Sequence, residues 1–234
     1  MSKFIFKVIR PFIFFLFTKL KFYRSFSQEG EDLIIDRILK TNNMKYKNLF
    51  YLDIGAGHPI KYSNTFYFYL RGSRGITVDA FKKNTDKHKV YRQNDITLNL
   101  LIGDKEEIVN YYNFDQSELN TMNEDRVIEL KNYNIFYKSV VKIKKTDLKN
   151  FFDTLIQDYL NKINFLNLDI EGSETEILKR VDWKEFKPKI ICVEIINNDI
   201  NKIKNSEIYK ILISEGYEIF SKLFNSVIFV KNLK

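Results

Sequence analysis

Small residues and carboxylates occur at the ends of two apolar segments of this 234-residue chain. The first segment carries Asp53 near its end and leads into a turn that consists of Gly55, Ala56 and Gly57. Asp79 ends the second segment, 24 residues after Gly55. Small residues in a turn let backbone N–H groups approach a ligand closely, and a carboxylate at the tip of the next strand can accept hydrogen bonds from the two hydroxyls of a ribose. The spacing therefore predicts a site for a cofactor that contains a nucleoside.

The turn departs from two phosphate-binding patterns. A dinucleotide site has a third glycine, G-x-G-x-x-G, whereas here the residues HPIK follow the second glycine at positions 58–61. The Walker pattern, in which Gly-Lys-Ser/Thr follows a glycine after four residues, does not occur either. Asp-x-Gly-x-Gly with a distal acid instead resembles the first two motifs of class I S-adenosylmethionine-dependent methyltransferases. The alternative is an ordinary glycine-rich turn after a strand.

Longer segments resemble the FkbM methyltransferase family. They are 27–32 (SQEGED), 52–59 (LDIGAGHP) with 62–65 (YSNT), 165–174 (FLNLDIEGSE) and 188–195 (PKIICVEI). The resemblance runs from about Phe26 to the C-terminus. It implies S-adenosylmethionine as the methyl donor and O-methylation of a sugar or another small hydroxylated metabolite. It also implies a class I methyltransferase (Rossmann-like) α/β fold: a mostly parallel sheet with a C-terminal antiparallel hairpin and helices on both faces.

Three further residues are expected to contact the cofactor, the first from the resemblance and the other two from their positions in the chain. Gln28 lies in the segment that the family places beside the cofactor. Asn64 either caps the first core helix or contacts the carboxylate end of the cofactor. Asp104, at the tip of the third strand, is expected beside the adenine, where it accepts a hydrogen bond from the exocyclic amine; a simple Gly-Asp turn is the alternative.

Acidic residues at later strand ends are candidates for catalysis. Asp169 and Glu171 are two residues apart, so an extended backbone directs both to one face, and we expect them to orient or deprotonate an acceptor hydroxyl. Glu194 is expected to bind the acceptor. His58 is a candidate general base, or a hydrogen-bonding group near the methionine portion of the cofactor. The alternatives are a helix N-cap for Asp169 and a turn residue fixed by proline for His58.

Two other features limit the assignments. A divalent cation on Asp169, Glu171 and Glu194 would lower the pKa of a hydroxyl, but the sequence has no His/Cys metal signature, so no metal site is predicted. The second histidine, His88, lies among lysines and is expected to face solvent.

Composition indicates a single cytoplasmic domain that does not bind nucleic acid. Hydrophobic residues make up 44% of the chain, which excludes a disordered polymer. Cys192 is the only cysteine, so no disulfide forms and a reducing compartment is expected. The net charge of +8 is dispersed over many segments without a base-reading motif, which favours a solvated surface over nucleic-acid binding. Anionic acceptors remain compatible with this charge.

Residues 1–24 form a basic, aromatic extension that precedes the methyltransferase domain, residues 25–234. Its uninterrupted apolar run, 11–17, is shorter than the roughly 20 residues that a bilayer-spanning helix needs, and it lacks a signal cleavage site. The extension is predicted to be a helix that lies on an anionic membrane surface, at the inner face of the membrane, or packs on its own domain or a dimer partner. The sequence leaves the oligomeric state open.

Hydrophobic periodicity predicts the order of the elements. The predicted helices are 29–40, 65–70, 147–160 and 207–215, and the predicted strands are 49–54, 76–79, 98–102, 109–114, 138–145, 163–168, 190–195, 217–220 and 226–230. The polar stretch 115–132 is an insertion that is expected to cover the acceptor site. The leading interpretation is O-methylation of a sugar or nucleotide-linked sugar in surface polysaccharide biosynthesis. The alternatives are methylation of a small amine or phosphate-containing acceptor, and a non-catalytic scaffold that binds the cofactor in a glycan assembly complex.

Overall fold

The computed structural model describes residues 24–170, 172–195 and 199–233. The strands are β1 Phe50–Ile54, β2 Arg74–Asp79, β3 Ile96–Asn99, β4 Leu101–Gly103, β5 Glu107–Asn113, β6 Ser139–Asp147, β7 Ile163–Leu168, β8 Ile190–Glu194, β9 Glu218–Lys222 and β10 Ser226–Val230. The helices are α1 Glu31–Thr41, α2 Phe66–Leu70, α3 Lys82–Tyr91, α4 Glu124–Asn132, α5 Leu148–Asn150, α6 Glu174–Arg180, α7 Ile200–Asn205 and α8 Glu207–Ser214. Shorter 3₁₀ turns occur at Tyr46–Asn48, Ser117–Leu119 and Gln157–Lys162, and a π-helical turn at Phe151–Leu155.

A seven-stranded sheet with the order β3-β2-β1-β7-β8-β10-β9 is the centre of the fold. The first five of these strands are parallel, and β10 runs antiparallel to β8 and β9. This arrangement confirms the predicted class I methyltransferase sheet with its C-terminal antiparallel hairpin. The carboxyl ends of the parallel strands meet at one edge, where such sheets bind their ligands.

Helices cover both faces of this sheet because alternate strand residues point to opposite sides. Leu52 and Leu166 pack with apolar side chains of α6 and α8. Tyr51 and Phe165, one residue earlier in each strand, pack with α1 and α2 on the other face. The two clusters are closed to water, so the strand ends at the ligand edge are held on both sides.

A second, three-stranded sheet contains β6 between β4 and β5. The sequence predicted one strand over 98–102, and this prediction is wrong: the chain breaks at Leu100, with β3 in the large sheet and β4 in the small one. The predicted insertion 115–132 contains a 3₁₀ turn and α4. None of the helices within the described ranges combines the length and apolar composition that a bilayer crossing requires. Residues 1–23 of the predicted N-terminal helix lie outside the described residues.

Two helix predictions differ from the structure. The predicted helix 147–160 is interrupted after α5, because the chain widens to a π-helical turn in which Ile156 N donates to Phe151 O at 3.2 Å. Phe151 and Ile156, at the two ends of this turn, are both buried in the same hydrophobic cluster. Helix α3 was not predicted because its buried residues are Asn84, Thr85 and His88, which give no hydrophobic period.

Candidate active site

A cavity of ≈ 390 Å³ opens where the carboxyl ends of β1, β2, β7 and β8 meet. The sequence-predicted residues in its wall are Gln28, Gly55, Ala56, Gly57, His58, Asp79, Asp169 and Glu194. The segment 116–122 and Arg126, both from the predicted insertion, also line it. The cavity is therefore enclosed by the two glycines, the acids at the strand ends and the insertion.

The two glycines of the turn serve different purposes. Gly55 has φ +81°, and a Cβ there would lie 1.6 Å from the backbone oxygen of Asp169. Gly55 therefore lets β7 and the turn after β1 approach each other, rather than a ligand as we expected from the sequence. Gly57 has φ +54°, and a Cβ there would meet no atom closer than 4.0 Å. Open space thus begins at Gly57, and its missing side chain widens the cavity.

Asp79 holds the turn and faces the cavity. Its carboxylate accepts hydrogen bonds from Gly57 N at 2.8 Å and Phe81 N at 2.7 Å, with Asn84 Nδ2 at 3.4 Å. Burial raises the pKa of Asp79 from its ordinary 3.8 to about 6, although the backbone hydrogen bonds oppose this shift. The carboxylate therefore retains lone pairs for a ligand while it fixes the position of the glycine turn.

Asp53 does not line the cavity, contrary to the sequence prediction. Its side chain is only 1% exposed; it accepts a hydrogen bond from Thr65 Oγ1 and another, at 2.9 Å, from Asn167 Nδ2. Desolvation raises its pKa. Asp53 lies two residues after Tyr51 and points to the same face of the sheet, towards α2, because strand side chains alternate. Asp53 therefore stabilises the strand that leads into the turn from the side of the sheet that α2 covers.

Asn64 and Asp104 also lie away from the cavity wall. Asn64 is buried and donates through Nδ2 to Asn167 Oδ1 at 2.9 Å. Asp104 follows β4 of the small sheet, and its carboxylate pairs with Lys145 Nζ at 2.6 Å, a contact that lowers the pKa of Asp104. The break at Leu100 places Asp104 after β4 rather than at the tip of β3, and Asp104 does not line the cavity.

The N-terminal motif forms part of the cavity wall through its contacts with the C-terminal hairpin. Glu29 accepts hydrogen bonds from Asn225 N at 2.9 and 3.0 Å, and Glu31 accepts one from Ser226 Oγ at 2.8 Å. Gln28 and Asn225 both line the cavity. These contacts join residues almost 200 positions apart in the sequence, so the motif closes the site rather than merely beginning a helix.

His58 begins the loop after the glycine turn. Its Nδ1 accepts hydrogen bonds from Ile60 N at 3.2 Å and Lys61 N at 3.1 Å. Burial, and then the charge of Lys87, lowers its pKa. The neutral imidazole therefore carries its proton on Nε2, the tautomer that these hydrogen bonds assign. This tautomer offers the cavity a donor, which favours hydrogen bonding over general-base catalysis.

His88 is buried, and the prediction that it faces solvent is wrong. Its Nε2 lies 3.1 Å from the backbone oxygen of Gly57. Desolvation lowers the pKa of His88 to about 3, so the ring is neutral and donates to Gly57. The sequence signal was the spacing of Asn84 and His88, which lie four residues apart and share one face of α3.

A buried polar network below the turn was also missed in the sequence. The guanidinium of Arg92 donates to Tyr51 Oη and Thr65 Oγ1, each at 2.9 Å, and pairs with Asp95 at 2.8 Å. Thr65 in turn donates to Asp53. The network links the end of α3 to β1 and to the start of α2, and thereby fixes the strand that leads into the turn.

Three carboxylates come together at the ends of β7 and β8. One oxygen from each of Asp169, Glu174 and Glu194 lies within 4.8 Å of the others, an arrangement that could hold a cation. The Glu174 carboxylate already accepts backbone hydrogen bonds from Ile170 N at 2.8 Å and Gly172 N at 3.1 Å. Helix α6 has Ser173 at its N-cap, so Asp169 is not the cap of that helix. Glu171 lies outside the described residues.

Comparisons with known proteins place the chain in a family. The model of the methyltransferase FkbM domain matches residues 53–219. No curated protein matches the sequence. Similar solved structures include the Methanococcus jannaschii fibrillarin pre-rRNA processing protein, which is 14% identical, with 82% of this chain and 70% of that chain covered and a TM-score of 0.40. An O-methyltransferase from Bacillus cereus in complex with SAH is 12% identical, with 97% and 96% covered and a TM-score of 0.41. Because the FkbM match spans more than half of the chain, this protein belongs to the FkbM methyltransferase family and is an S-adenosylmethionine-dependent enzyme.

Proposed function

We propose that this enzyme methylates a hydroxyl of a sugar or nucleotide-linked sugar in the biosynthesis of a surface polysaccharide. The observation that carries the proposal is that one cavity contains both the glycine turn with Asp79 and the carboxylates Asp169 and Glu194. A nucleoside-recognising end and an acidic end within one cavity suit a cofactor and a hydroxylated acceptor that must meet.

The residues at the first end fit the cofactor. The carboxylate of Asp79 would accept hydrogen bonds from the ribose hydroxyls. The open space beside Gly57 would admit the chain of the methionine portion, and Gln28 would contact it from the N-terminal motif. When bound, S-adenosylmethionine supplies a methyl group on a positively charged sulfur. His58 donates from Nε2 to an acceptor atom of either ligand, since its Nδ1 is engaged by the backbone.

The acidic end prepares the acceptor. Asp169 accepts the proton of the reacting hydroxyl as its oxygen bonds to the methyl carbon and the carbon–sulfur bond breaks, with S-adenosylhomocysteine as the leaving group. Glu194 accepts a hydrogen bond from a neighbouring hydroxyl and fixes the sugar. General-base assistance of this kind contributes on the order of 10²–10⁴ in rate. The remainder of the barrier reduction comes from holding oxygen, carbon and sulfur in line. Glu171, two residues after Asp169 in the sequence, is proposed to assist Asp169.

Replacing Asp169 tests the assignment. Asp169→Asn should leave the affinity for S-adenosylhomocysteine, measured by calorimetry, within about twofold and should lower kcat at least about 100-fold. Glu176→Gln is the matched control, because Glu176 is an exposed acid on the adjoining helix α6. Unchanged turnover in Asp169→Asn contradicts the role of Asp169, and the absence of binding heat in the wild type contradicts the function as a whole.

The identity of the acceptor and the cellular location of the enzyme require a separate measurement. We propose that the enzyme is cytoplasmic, in accord with its single buried thiol at Cys192. Deletion of the gene should remove one methyl group from the surface polysaccharide, detected by mass spectrometry of its sugars. An unchanged polysaccharide together with a newly unmethylated small amine or phosphate ester would contradict the sugar assignment.

We further propose that residues 1–24 attach the methyltransferase domain, residues 25–234, to an anionic membrane surface. The described chain begins beside the cavity, where Phe26 O accepts a hydrogen bond from Ser63 N at 3.0 Å. Full-length protein should sediment with vesicles that contain phosphatidylglycerol, and replacement of Lys3, Lys7 and Arg10 by glutamine should abolish this. A concentration-dependent dimer without vesicle binding would contradict membrane attachment and favour a protein contact.

A further inference from the structure

The loop after His58 holds an aromatic side chain in an unfavourable backbone conformation. Tyr62 has φ +59° although it is not glycine, and the residue is 48% exposed. Bulky residues in this region are rare, and such strain is found where the surrounding structure imposes it at functional sites. The imidazole of His58 imposes it here by binding Ile60 N and Lys61 N, which fixes the path of the loop. The result is a tyrosine ring in the cavity wall.

Lys61 fixes the orientation of this ring and links the loop to the insertion. Its Nζ lies 4.2 Å from the centre of the Tyr62 ring, a cation–π contact that covers one face. The same Nζ lies 3.7 Å from Glu118 Oε1 in the segment 116–122. The loop and the insertion are therefore neighbours in the cavity wall, on the side where the chain leaves the glycine turn through His58.

Asn120, in that segment of the insertion, offers a hydrogen-bond donor without an acceptor. The residue is 7% exposed and lines the cavity, and its Oδ1 accepts a hydrogen bond from Phe114 N at 2.8 Å. Its Nδ2 has no hydrogen-bond partner among the residues that the structure describes. A buried donor in this state is costly, and a ligand oxygen would satisfy it.

We propose that Tyr62 and Asn120 form the acceptor subsite, and that its occupant is a sugar ring. The C–H face of the sugar lies on the uncovered face of Tyr62, and Asn120 Nδ2 donates to an oxygen substituent of the same sugar. Flat aromatic rings with a few fixed polar groups are how concave sites orient small ligands. This inference rests on the proposed function and adds two specificity-determining residues to it.

Four variants of the full-length protein separate the contributions. Tyr62→Ser removes the ring and Tyr62→Phe retains it. Asn120→Asp keeps Oδ1 for Phe114 N but replaces the donor by an acceptor. Tyr133→Ser is the matched control, because Tyr133 is an exposed tyrosine after α4 that does not line the cavity.

The probe is surface polysaccharide extracted from cells that lack the protein. Saturation-transfer NMR with protein loaded with S-adenosylhomocysteine measures contact with the carbohydrate, and transfer of a tritiated methyl group gives the apparent KM. Tyr62→Ser and Asn120→Asp should each raise this KM at least about tenfold and weaken the saturation transfer. Tyr62→Phe and Tyr133→Ser should stay within about twofold, and the affinity for S-adenosylhomocysteine should stay within about twofold in all four.

Three outcomes overturn the inference, and they differ from failure of the proposed function. An equal loss of affinity for S-adenosylhomocysteine in Tyr62→Ser and Asn120→Asp would place the cofactor, not the acceptor, at these residues. An unchanged KM in both would remove them from recognition. Saturation transfer to none of the extracted carbohydrate, while S-adenosylhomocysteine still binds, would exclude a sugar of the polysaccharide from this subsite and overturn the inference, with the methyltransferase left intact. Absence of S-adenosylhomocysteine binding in the wild type would instead refute the proposed function.

Discussion

Acidification should weaken cofactor binding through Asp79 while it stabilises the ligand-free protein. The pKa of this buried carboxyl is raised to about 6, and we assign the ionised form to the ribose hydroxyls. With a pKa near 6, the ionised fraction falls from about nine-tenths at pH 7 to about one-tenth at pH 5. The dissociation constant of S-adenosylhomocysteine should therefore rise about tenfold between these two pH values and should be level above pH 7.

The stability of the ligand-free protein should change in the opposite direction. Because the folded-state pKa of Asp79 exceeds the ordinary 3.8, the folded protein binds a proton more readily than the unfolded chain between about pH 4 and pH 6. The free energy of unfolding that this group contributes is therefore present at low pH and is lost as pH rises through about 6. The full effect is on the order of 3 kcal/mol. Calorimetry with the ligand and thermal melting without it measure the two trends.

Two variants identify the titrating group. Asp79→Asn should bind S-adenosylhomocysteine weakly at every pH and should lose the slope, since no carboxylate remains to titrate. His58→Gln should retain the slope, because the Asp79 carboxylate remains and glutamine can still accept a backbone hydrogen bond. A dissociation constant that is constant from pH 5 to pH 7.5, or the same slope in Asp79→Asn, would refute the assignment of Asp79 to the ribose.

Two further substitutions test how the site is supported. Gly55→Ala should prevent stable folding, because its Cβ would lie 1.6 Å from Asp169 O. Gly57→Ala should lower the free energy of unfolding by only about 1 kcal/mol, from its positive φ alone. Thermal melting of both variants distinguishes steric exclusion from backbone strain. Arg92→Met should lower the free energy of unfolding, measured by urea denaturation, by about 3–5 kcal/mol, since it leaves Asp95 buried without its cation. The double variant Arg92→Met, Asp95→Asn should recover part of this loss. An Arg92→Met variant as stable as the wild type would contradict the network.

The large sheet was predictable because its strands are buried on both faces. Such strands appear as short apolar runs bounded by polar residues, and the predicted strand 163–168 coincides with β7. The small sheet was less predictable because β3 and β4 follow each other with only Leu100 between them. One apolar run can supply two sheets, and no local property of the sequence marks the change of partner.

The position of an acidic residue at a strand end did not reveal to which side of the sheet its side chain points. Asp53 and Asp79 both lie near the ends of parallel strands, yet only Asp79 lines the cavity. The alternation of strand side chains, with a period of two residues, contained the missing information. Asp53 points to the same side of the sheet as Tyr51, and Asn167 to the same side as Phe165. Both polar side chains therefore point to the face that α2 covers. Their pairing required the register between β1 and β7, which places Asp53 opposite Asn167 and is a property of the fold.

The missing third glycine has a physical counterpart in the loop after the turn. A dinucleotide site requires free backbone N–H groups at a helix N-terminus for its pyrophosphate. In this chain the helix after the turn begins only at Phe66, and the N–H groups of Ile60 and Lys61 already donate to the imidazole of His58. The loop therefore offers no cradle for a phosphate where a dinucleotide would need one. A nucleoside cofactor without phosphate, such as S-adenosylmethionine, does not need those N–H groups for its binding. Because the N–H groups already donate to His58, the loop has a fixed path that a ligand does not have to induce.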